Sequence, residues 1–171
     1  GVDESPFKLL KKGGSVKWQA WQMSCPLAVY FEILPSKSAE VGKKLLGSYS
    51  GEVVADGART YESLARDGPW RLSNCWSHGR RRVLAAEGEA PGQVAEFLDL
   101  VGDLYAVERK AAREPEDGDL RRGYRHRIDV EQLRSLRDTE SRAIIKRIQT
   151  WMLAQQCIPG GELKAALAYI A

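Results

Sequence analysis

The chain has 171 residues, of which 43% are hydrophobic and 29% charged; these ordinary globular values exclude a wholly disordered chain. Its formal net charge of +3 permits a nucleic-acid partner without requiring one, because the clustering of charge decides what a protein binds. Three widely spaced cysteines argue against a disulfide framework and favour a reducing compartment. No apolar run approaches the ~18 residues of a membrane-spanning helix.

The first half of the chain alternates predicted strands and short helices. A strand at the amino terminus is followed by two aromatic-rich strands at about 16–24 and 27–34, joined at Cys25-Pro26. Ser38 is placed to cap a helix that ends near Gly47. Then come a strand over GEVVA, a helix with Tyr61 and Leu64 facing inward, and a strand over WRLSNCW.

The second half of the chain is predicted to be helical. Apolar residues recur at three- and four-residue steps from about 93 to 112, and again from about 129 to 156. The intervening segment 113–127 is rich in charge and glycine and predicts a loop or hinge. The expected buried positions of the second long helix are Leu133, Leu136, Ile144, Ile145, Ile148, Trp151 and Met152. A last helix starts near Glu162, after Pro159-Gly160-Gly161. A sheet followed by helices predicts an α/β or α+β fold.

Two carboxylates stand at predicted strand ends, Asp3 in VDES and Asp56 in VVADG. Strands that each end in a carboxylate can bring two anions together at one edge of a sheet, which favours a divalent cation between them. Two-metal sites for phosphoryl transfer, with ions ~3.5–4 Å apart, are built in this way. The alternative is that Asp56-Gly57 is a turn and Asp3 a solvated terminal residue.

The stretch NCWSHGRRRV combines a cysteine, a histidine and three arginines. Cys75 and His78 have no second Cys/His pair nearby, since Cys25, His126 and Cys157 are isolated, and a structural zinc site normally needs four ligands. A packed Cys75 is therefore the better interpretation. The arginines are either a charged helix surface or phosphate contacts, because arginine binds phosphate in a bidentate manner.

Taken in order, these segments resemble the DDE transposases of the insertion-sequence-66 family. VDESPFKLL resembles that family's Asp-Glu-Thr-Pro opening, and WQAW its aromatic strand. The segment from PSKSAE to ADGARTYESLA resembles its Ser-Arg-Ser segment followed by Gly-x-hydrophobic-x-x-Asp-Gly-Tyr. NCWSHGRRRV resembles Cys-Trp-Ala-His-x-Arg-Arg-x-Phe. DLYAVER and IPGGELKAALAYI resemble two further family stretches, so the match covers nearly the whole chain.

The resemblance implies a ribonuclease-H-like mixed sheet in residues 1–90, followed by an all-helical insertion region in residues 91–171. It also implies that Mg²⁺ (or Mn²⁺), held by Asp3 and Asp56, activates water or a DNA 3′-hydroxyl for attack on a phosphodiester. Asp3 would lie on the central strand and Asp56 on its neighbour. The chain starts without Met and closes within LKAALAYIA, so we expect a fragment truncated at its C-terminus.

The third carboxylate of such a site has two candidates. Glu108 lies on the first long helix and matches a recurrent family glutamate. Related transposases with helical insertions instead place the glutamate beyond the insertion, in an Asn-Asn-x-x-Glu-Arg stretch that would follow ALAYIA, and this is the assignment we favour. Glu108 would then form a structural salt bridge on its helix.

The resemblance further implies DNA as the partner, both transposon ends and target, with a possible homo-oligomer assembled on it in the bacterial cytoplasm at the nucleoid. Lys37, His78, Arg80 and Arg81 are the expected DNA contacts. Lys37 stands where the family commonly has Arg, Ala58 where it has Tyr, and Ser5 where it has Thr; Lys and Arg hold phosphate differently. The alternatives are a nuclease of the same fold, which cleaves without joining, and a non-catalytic DNA-binding transposase remnant.

Overall fold

A computed structural model describes residues 1–25, 27–57, 59–112 and 128–171. Contacts within the chain divide it into two compact units, Gly1–His78 and Gly79–Ala171. The predicted loop 113–127, which includes His126, lies outside the described residues, as do Pro26 and Ala58.

The first unit begins with an antiparallel sheet of three strands. These are β1 (Val2–Lys11), β2 (Gly14–Ser24) and β3 (Val29–Leu34), with β2 in the middle. The hairpin between β1 and β2 closes through Lys12-Gly13, where Gly13 has a φ of 85° that favours glycine. The two aromatic-rich strands predicted from the sequence are confirmed, because β-branched and aromatic residues suit a pleated surface.

The strand that carries Asp3 differs from the prediction. We expected an apolar strand ending in a carboxylate, but Asp3 is the second of the ten residues of β1. The physical reason is strand pairing, since β1 pairs with β2 along its full length, from Val2 opposite Met23 to Lys11 opposite Gly14. The pairing keeps the chain extended beyond the carboxylate, as far as Lys11.

A parallel pair of strands completes the sheet structure of the first unit. Strand β4 (Gly51–Ala55) is followed by the crossover helix α2 (Arg59–Asp67) and by β5 (Trp70–Asn74), and β4 pairs with β5. Helix α1 (Ala39–Leu46) lies between Ser38 and Gly47, as predicted, but the Ser38 side chain forms no capping hydrogen bond and instead accepts one from the Ser36 hydroxyl at 3.1 Å. Strand β1 lies beside β4. The described strand pairs nevertheless form two small sheets, instead of the one mixed sheet that we expected.

The core of the first unit is built around Trp21, which is 1% exposed. Its indole N–H donates to the carbonyl oxygen of Ser36 at 3.1 Å, and its ring meets Tyr61 edge to face with 6.4 Å between centroids. The other buried members of this core are Val2, Val53, Ala55, Leu64 and Trp70. Helix α1 approaches closely through Gly42, where a Cβ atom would lie 2.5 Å from the Leu64 side chain.

The described residues of the second unit are predominantly helical. They form α3 (Trp76–Leu84, which begins in the first unit), α4 (Pro91–Lys110), α5 (Val130–Leu136), a π-helical turn (Arg137–Ser141), α6 (Arg142–Ala154) and α7 (Glu162–Ile170). Among the described residues, these helices lie where helices were predicted from the sequence. None of the helices in the described part of the chain is long and apolar enough to cross a membrane.

One of the buried positions predicted for the second long helix is wrong. Ile145 is exposed, whereas Ile148 is 1% exposed. Helix α6 packs against α4. The ring centroids of Trp151 on α6 and Phe97 on α4 are 5.5 Å apart. A surface helix buries only one stripe of its residues, and Ile145, at 36% exposed, lies outside the buried stripe that includes Ile148.

The start of α7 depends on a carboxylate that is distant in the sequence. Glu89 accepts hydrogen bonds from the backbone N–H groups of Glu162 at 2.8 Å and Leu163 at 3.4 Å. An anion is favourable at a helix amino terminus, where N–H groups lack partners in the helix. A Cβ atom on Gly161 would lie 2.5 Å from an oxygen of Glu89. Glycine at this position therefore allows the carboxylate to reach the helix.

Replacing Trp21 by alanine tests the core of the first unit. We expect Trp21→Ala to lower the free energy of unfolding by about 3–5 kcal/mol, because it removes a fully buried aromatic side chain. The matched control is Phe31→Ala on the neighbouring strand, where the side chain is 64% exposed. The control should change stability by about 0.5 kcal/mol or less. Urea unfolding measures both, and equal losses would contradict this description of the core.

Candidate carboxylate site

The site begins with the alternation of side chains along β1. Successive residues of a strand point to opposite faces of the sheet. Val2 is buried and Glu4 is half-buried, whereas Asp3 between them is exposed. Strand β1 therefore directs Glu4 towards the core and Asp3 towards the opposite face.

Glu4 is held by a tyrosine from α2. The Tyr61 hydroxyl donates to the Glu4 carboxylate at 2.5 Å, and Tyr61 is only 1% exposed. A carboxylate removed from water is costly unless it is hydrogen-bonded. The tyrosine supplies that bond and joins α2 to β1.

The charges around Glu4 define the electrostatics of the site. Burial raises the pKa of Glu4 above its ordinary value of 4.5, and the hydrogen bond from Tyr61 opposes this shift. The negative charge of Asp56 raises the pKa further, the positive charge of Lys37 lowers it, and the charge of Asp3 adds a smaller upward shift. Burial, the hydrogen bond to Glu4, and the negative charges of Glu4, Asp56 and Asp3 also raise the pKa of the Tyr61 hydroxyl.

Three of the residues predicted for the site, Asp3, Lys37 and Asp56, thus influence the pKa of Glu4. Asp56 directly follows β4 and is half-buried, and Lys37 is exposed between β3 and α1. Asp3 accepts a hydrogen bond at 2.9 Å from the backbone N–H of Glu4. Glu4 was not among the residues predicted for the site, and Tyr61 was predicted only as a core residue. The signal for Glu4 was its position next to Asp3 on a strand. Both neighbours of an outward-facing side chain point to the opposite face of the sheet.

The remaining predicted DNA contacts lie on α3. His78, the last residue of the first unit, is half-buried, and among the described residues its Nδ1 atom is buried without a hydrogen-bond partner. Arg80 and Arg81 belong to the second unit and are exposed. The next arginine, Arg82, stacks on the ring of Tyr169 with 5.0 Å between its guanidinium carbon and the ring centroid. Roles in DNA binding for His78, Arg80 and Arg81 stay predictions.

Glu108 lies in the second unit, on α4. Its two carboxylate oxygens accept hydrogen bonds from the Arg137 guanidinium at 2.7 and 2.8 Å. This bidentate ion pair joins α4 to the π-helical turn. This ion pair is the kind of structural salt bridge that was predicted for Glu108 as the alternative to catalysis.

The predicted metal ligands have suitable chemistry but form an incomplete set. Carboxylate oxygens such as those of Asp3 and Asp56 are the ligands that Mg²⁺ prefers. Among the described residues, however, no three His, Cys, Asp or Glu side chains come together in a group that could hold a metal ion. The described chain therefore contributes at most part of a metal site.

Comparisons with known proteins agree with the ordered motifs. A family model described as "Transposase IS66 family" matches residues 1–171. An uncharacterized protein, y4jD, from Sinorhizobium fredii (strain NBRC 101917 / NGR234) is 28% identical over 97 residues. That match covers 53% of this chain and 19% of the relative. No solved structure matches the chain.

The raised pKa of Glu4 predicts a pH-dependent stability. A carboxyl group with a raised pKa binds its proton more tightly in the folded chain, so its contribution to stability is present at low pH. That contribution is lost as the pH rises from 4.5 through the folded pKa. Glu4→Gln cannot ionise and keeps an acceptor for Tyr61. We expect this variant to gain stability relative to wild type as the pH rises from about 4 to about 8. Urea unfolding across this range measures the gain, and Glu62→Gln on the exposed side of α2 is the control.

The neighbours of Glu4 can be tested by NMR titration of its carboxyl carbon. Asp56→Asn removes a negative charge and should lower the pKa of Glu4, whereas Lys37→Gln removes a positive charge and should raise it. Lys43→Gln, an equivalent charge change on α1, serves as the control. Shifts of the same sign in both test variants would show that these two charges do not act on Glu4 as described.

Proposed function

Because the chain belongs to the IS66 family of transposases, we propose that it is part of a catalytic region that cuts and joins DNA at transposon ends. The observation that carries the proposal is the family match over all 171 residues. Duplex DNA is the proposed partner, with a homo-oligomer assembling on it at the nucleoid of the bacterial cytoplasm.

We propose a ribonuclease-H-like core for the first unit. In such a core the first carboxylate lies on a central strand and the second on its neighbour. Support comes from the position of β1, which pairs with β2 and lies beside β4, although the described strands place β1 at the edge of its three-stranded sheet. Asp3 is on β1, and Asp56 directly follows β4.

Asp3 and Asp56 are the proposed ligands of Mg²⁺ or Mn²⁺. The bound ion would lower the pKa of a coordinated water or hydroxyl group and neutralise charge that develops on the phosphodiester. The protein's own residues have separate tasks. Tyr61 holds Glu4 in place, and Lys37 offsets part of the negative charge that Asp3, Glu4 and Asp56 bring together.

In this proposal, the third carboxylate belongs to the glutamate of the family's Asn-Asn-x-x-Glu-Arg stretch. Support comes from the ion pair of Glu108, since both of its oxygens are engaged by Arg137. Glu108 would have to leave that partner in order to bind a metal ion. Its side chain then stabilises the second unit and takes no part in catalysis.

A non-catalytic DNA-binding role is the second candidate. The observation that favours it is that the described residues contain no group of three possible metal ligands. In this case Asp3 and Asp56 would be dispensable for the biological effect of the protein. Experiments on these two carboxylates therefore separate the candidates.

A transposition assay in bacterial cells, with the gene that encodes this chain, tests the proposal. We expect Asp3→Asn and Asp56→Asn each to reduce transposition by about a hundredfold or more, because even partners of metal ligands contribute 10–100-fold. Asp67→Asn, which changes an exposed residue at the end of α2, is the matched control. Glu108→Gln should retain activity if its role is structural. Full activity of Asp3→Asn and Asp56→Asn would favour the non-catalytic alternative.

Metal binding can be followed in the 171-residue chain itself. Mn²⁺ should broaden the NMR signals of residues around Asp3 and Asp56, because a paramagnetic ion relaxes nearby nuclei. Asp56→Asn should remove most of the broadening, and Asp67→Asn should leave it unchanged. Broadening that is distributed evenly over exposed carboxylates would contradict a metal site at these two residues.

A further inference from the structure

The first two strands extend beyond the rest of their sheet. Strand β3 pairs only with residues Gln19–Ser24 of β2, whereas β1 and β2 remain paired as far as Lys11 and Gly14. Residues 7–11 and 14–18 therefore form a two-stranded extension that the turn at Lys12-Gly13 closes. We refer to residues 7–18 as the basic ribbon.

The basic ribbon is one of the segments of the chain whose charged residues are all positive. It contains Lys8, Lys11, Lys12 and Lys17, and no aspartate or glutamate occurs between residues 5 and 31. The whole chain has 26 basic and 23 acidic residues, so removing these four lysines leaves 22 against 23. The remainder of the chain is thus slightly acidic, and the net charge of +3 depends on the ribbon.

Two of the four lysines face each other across the ribbon. Lys8 lies directly opposite Lys17 in the strand register, and like charges directly opposite each other destabilise a strand pair. All four side chains are exposed. Within the described residues, none of them forms a hydrogen bond or an ion pair through its side chain. An external polyanion would relieve this repulsion.

The dimensions of the ribbon suit duplex DNA. Five residues of antiparallel strand extend for roughly 17 Å at ~3.4 Å per residue, with strands ~4.8 Å apart. The major groove of B-form DNA is about 12 Å wide and about 8.5 Å deep and admits a two-stranded β-ribbon. The extension is therefore long enough to reach the floor of the groove, with its lysines near the phosphates on either side.

We propose that the basic ribbon is a DNA-binding element that enters the major groove and contacts backbone phosphates through Lys8, Lys11, Lys12 and Lys17. The choice of DNA as the polyanion rests on the proposed function. Lys8 lies five residues from Asp3 on the same strand, or roughly 17 Å. The ribbon would thus hold bound DNA at a fixed distance from Asp3.

Replacing all four ribbon lysines by glutamine tests the proposal in the 171-residue chain. The matched control replaces Lys43, Lys44, Lys146 and Lys164, four exposed lysines outside the ribbon, and changes the net charge equally. Fluorescence anisotropy with a labelled duplex of about three helical turns, or ~31 base pairs, gives the affinity over a range of salt concentrations.

We expect the ribbon variant to bind about tenfold or more weakly at low salt, because phosphate contacts dominate DNA affinity. The slope of log affinity against log salt should decrease by about 3.6, since each lost phosphate contact contributes ~0.9. The control should retain most of the wild-type affinity and slope. Equal behaviour of the two variants would overturn the ribbon proposal while leaving DNA binding elsewhere on the chain intact. Absence of duplex binding by the wild-type chain would overturn it as well.

Lysine footprinting of the wild-type chain provides a second measurement that does not depend on a folded variant. Acetylation in the presence of the duplex should spare Lys8, Lys11, Lys12 and Lys17, and should modify the four control lysines as it does without DNA. Uniform protection of all eight would contradict the proposal. The outcome is independent of the proposed catalysis, because an inactive Asp56→Asn chain should give the same footprint.

Lysines at an exposed sheet edge can also prevent strands of neighbouring molecules from pairing. A ribbon variant that binds DNA as the control does, but self-associates in sedimentation experiments, would assign the lysines to that role and overturn the proposal.

Discussion

The hydrogen bond from Tyr61 to the half-buried carboxylate of Glu4 is the contact around which the first unit is organised. It joins the first strand to the crossover helix between the two parallel strands. A buried carboxylate is costly without such a partner, so the positions of β1 and α2 depend on each other. The edge-to-face contact between Trp21 and Tyr61 extends this link from the polar pair into the apolar core.

The same strand connects three proposed properties of the protein. Its alternation points Glu4 inward and leaves Asp3 exposed, so the negative charge of the site is distributed over both faces of β1. Farther along, the strand leaves the sheet as part of the basic ribbon. A single extended segment therefore carries a proposed metal ligand, the group that fixes α2, and the proposed DNA contact. Rigid pairing with β2 keeps these parts at fixed separations.

Carboxylates have different tasks in the two units. In the second unit, Glu108 forms a bidentate pair with Arg137, and Glu89 accepts hydrogen bonds from the start of α7. Both therefore have partners that satisfy their charge within the fold. In the first unit, burial and the negative charges of Asp56 and Asp3 raise the pKa of Glu4, whereas the hydrogen bond from Tyr61 and the positive charge of Lys37 lower it. Carboxylates that interact through like charge are typical of sites that act on an external cation, and this arrangement supports the proposed metal site.

The sequence by itself determined the mixed α/β class, most element boundaries and the family, because apolar periodicity, capping residues and ordered motifs are local properties of the chain. It also placed Asp56 correctly, directly after a buried strand. Only the tertiary structure decided that Asp3 lies near the start of a long strand, that Glu4 faces Tyr61, and that Glu108 faces Arg137. It also decided that Ile145 is exposed and that the basic ribbon extends beyond β3. The physical reason is that each of these depends on strand register or on contacts between distant segments, and local patterns in the sequence do not encode either.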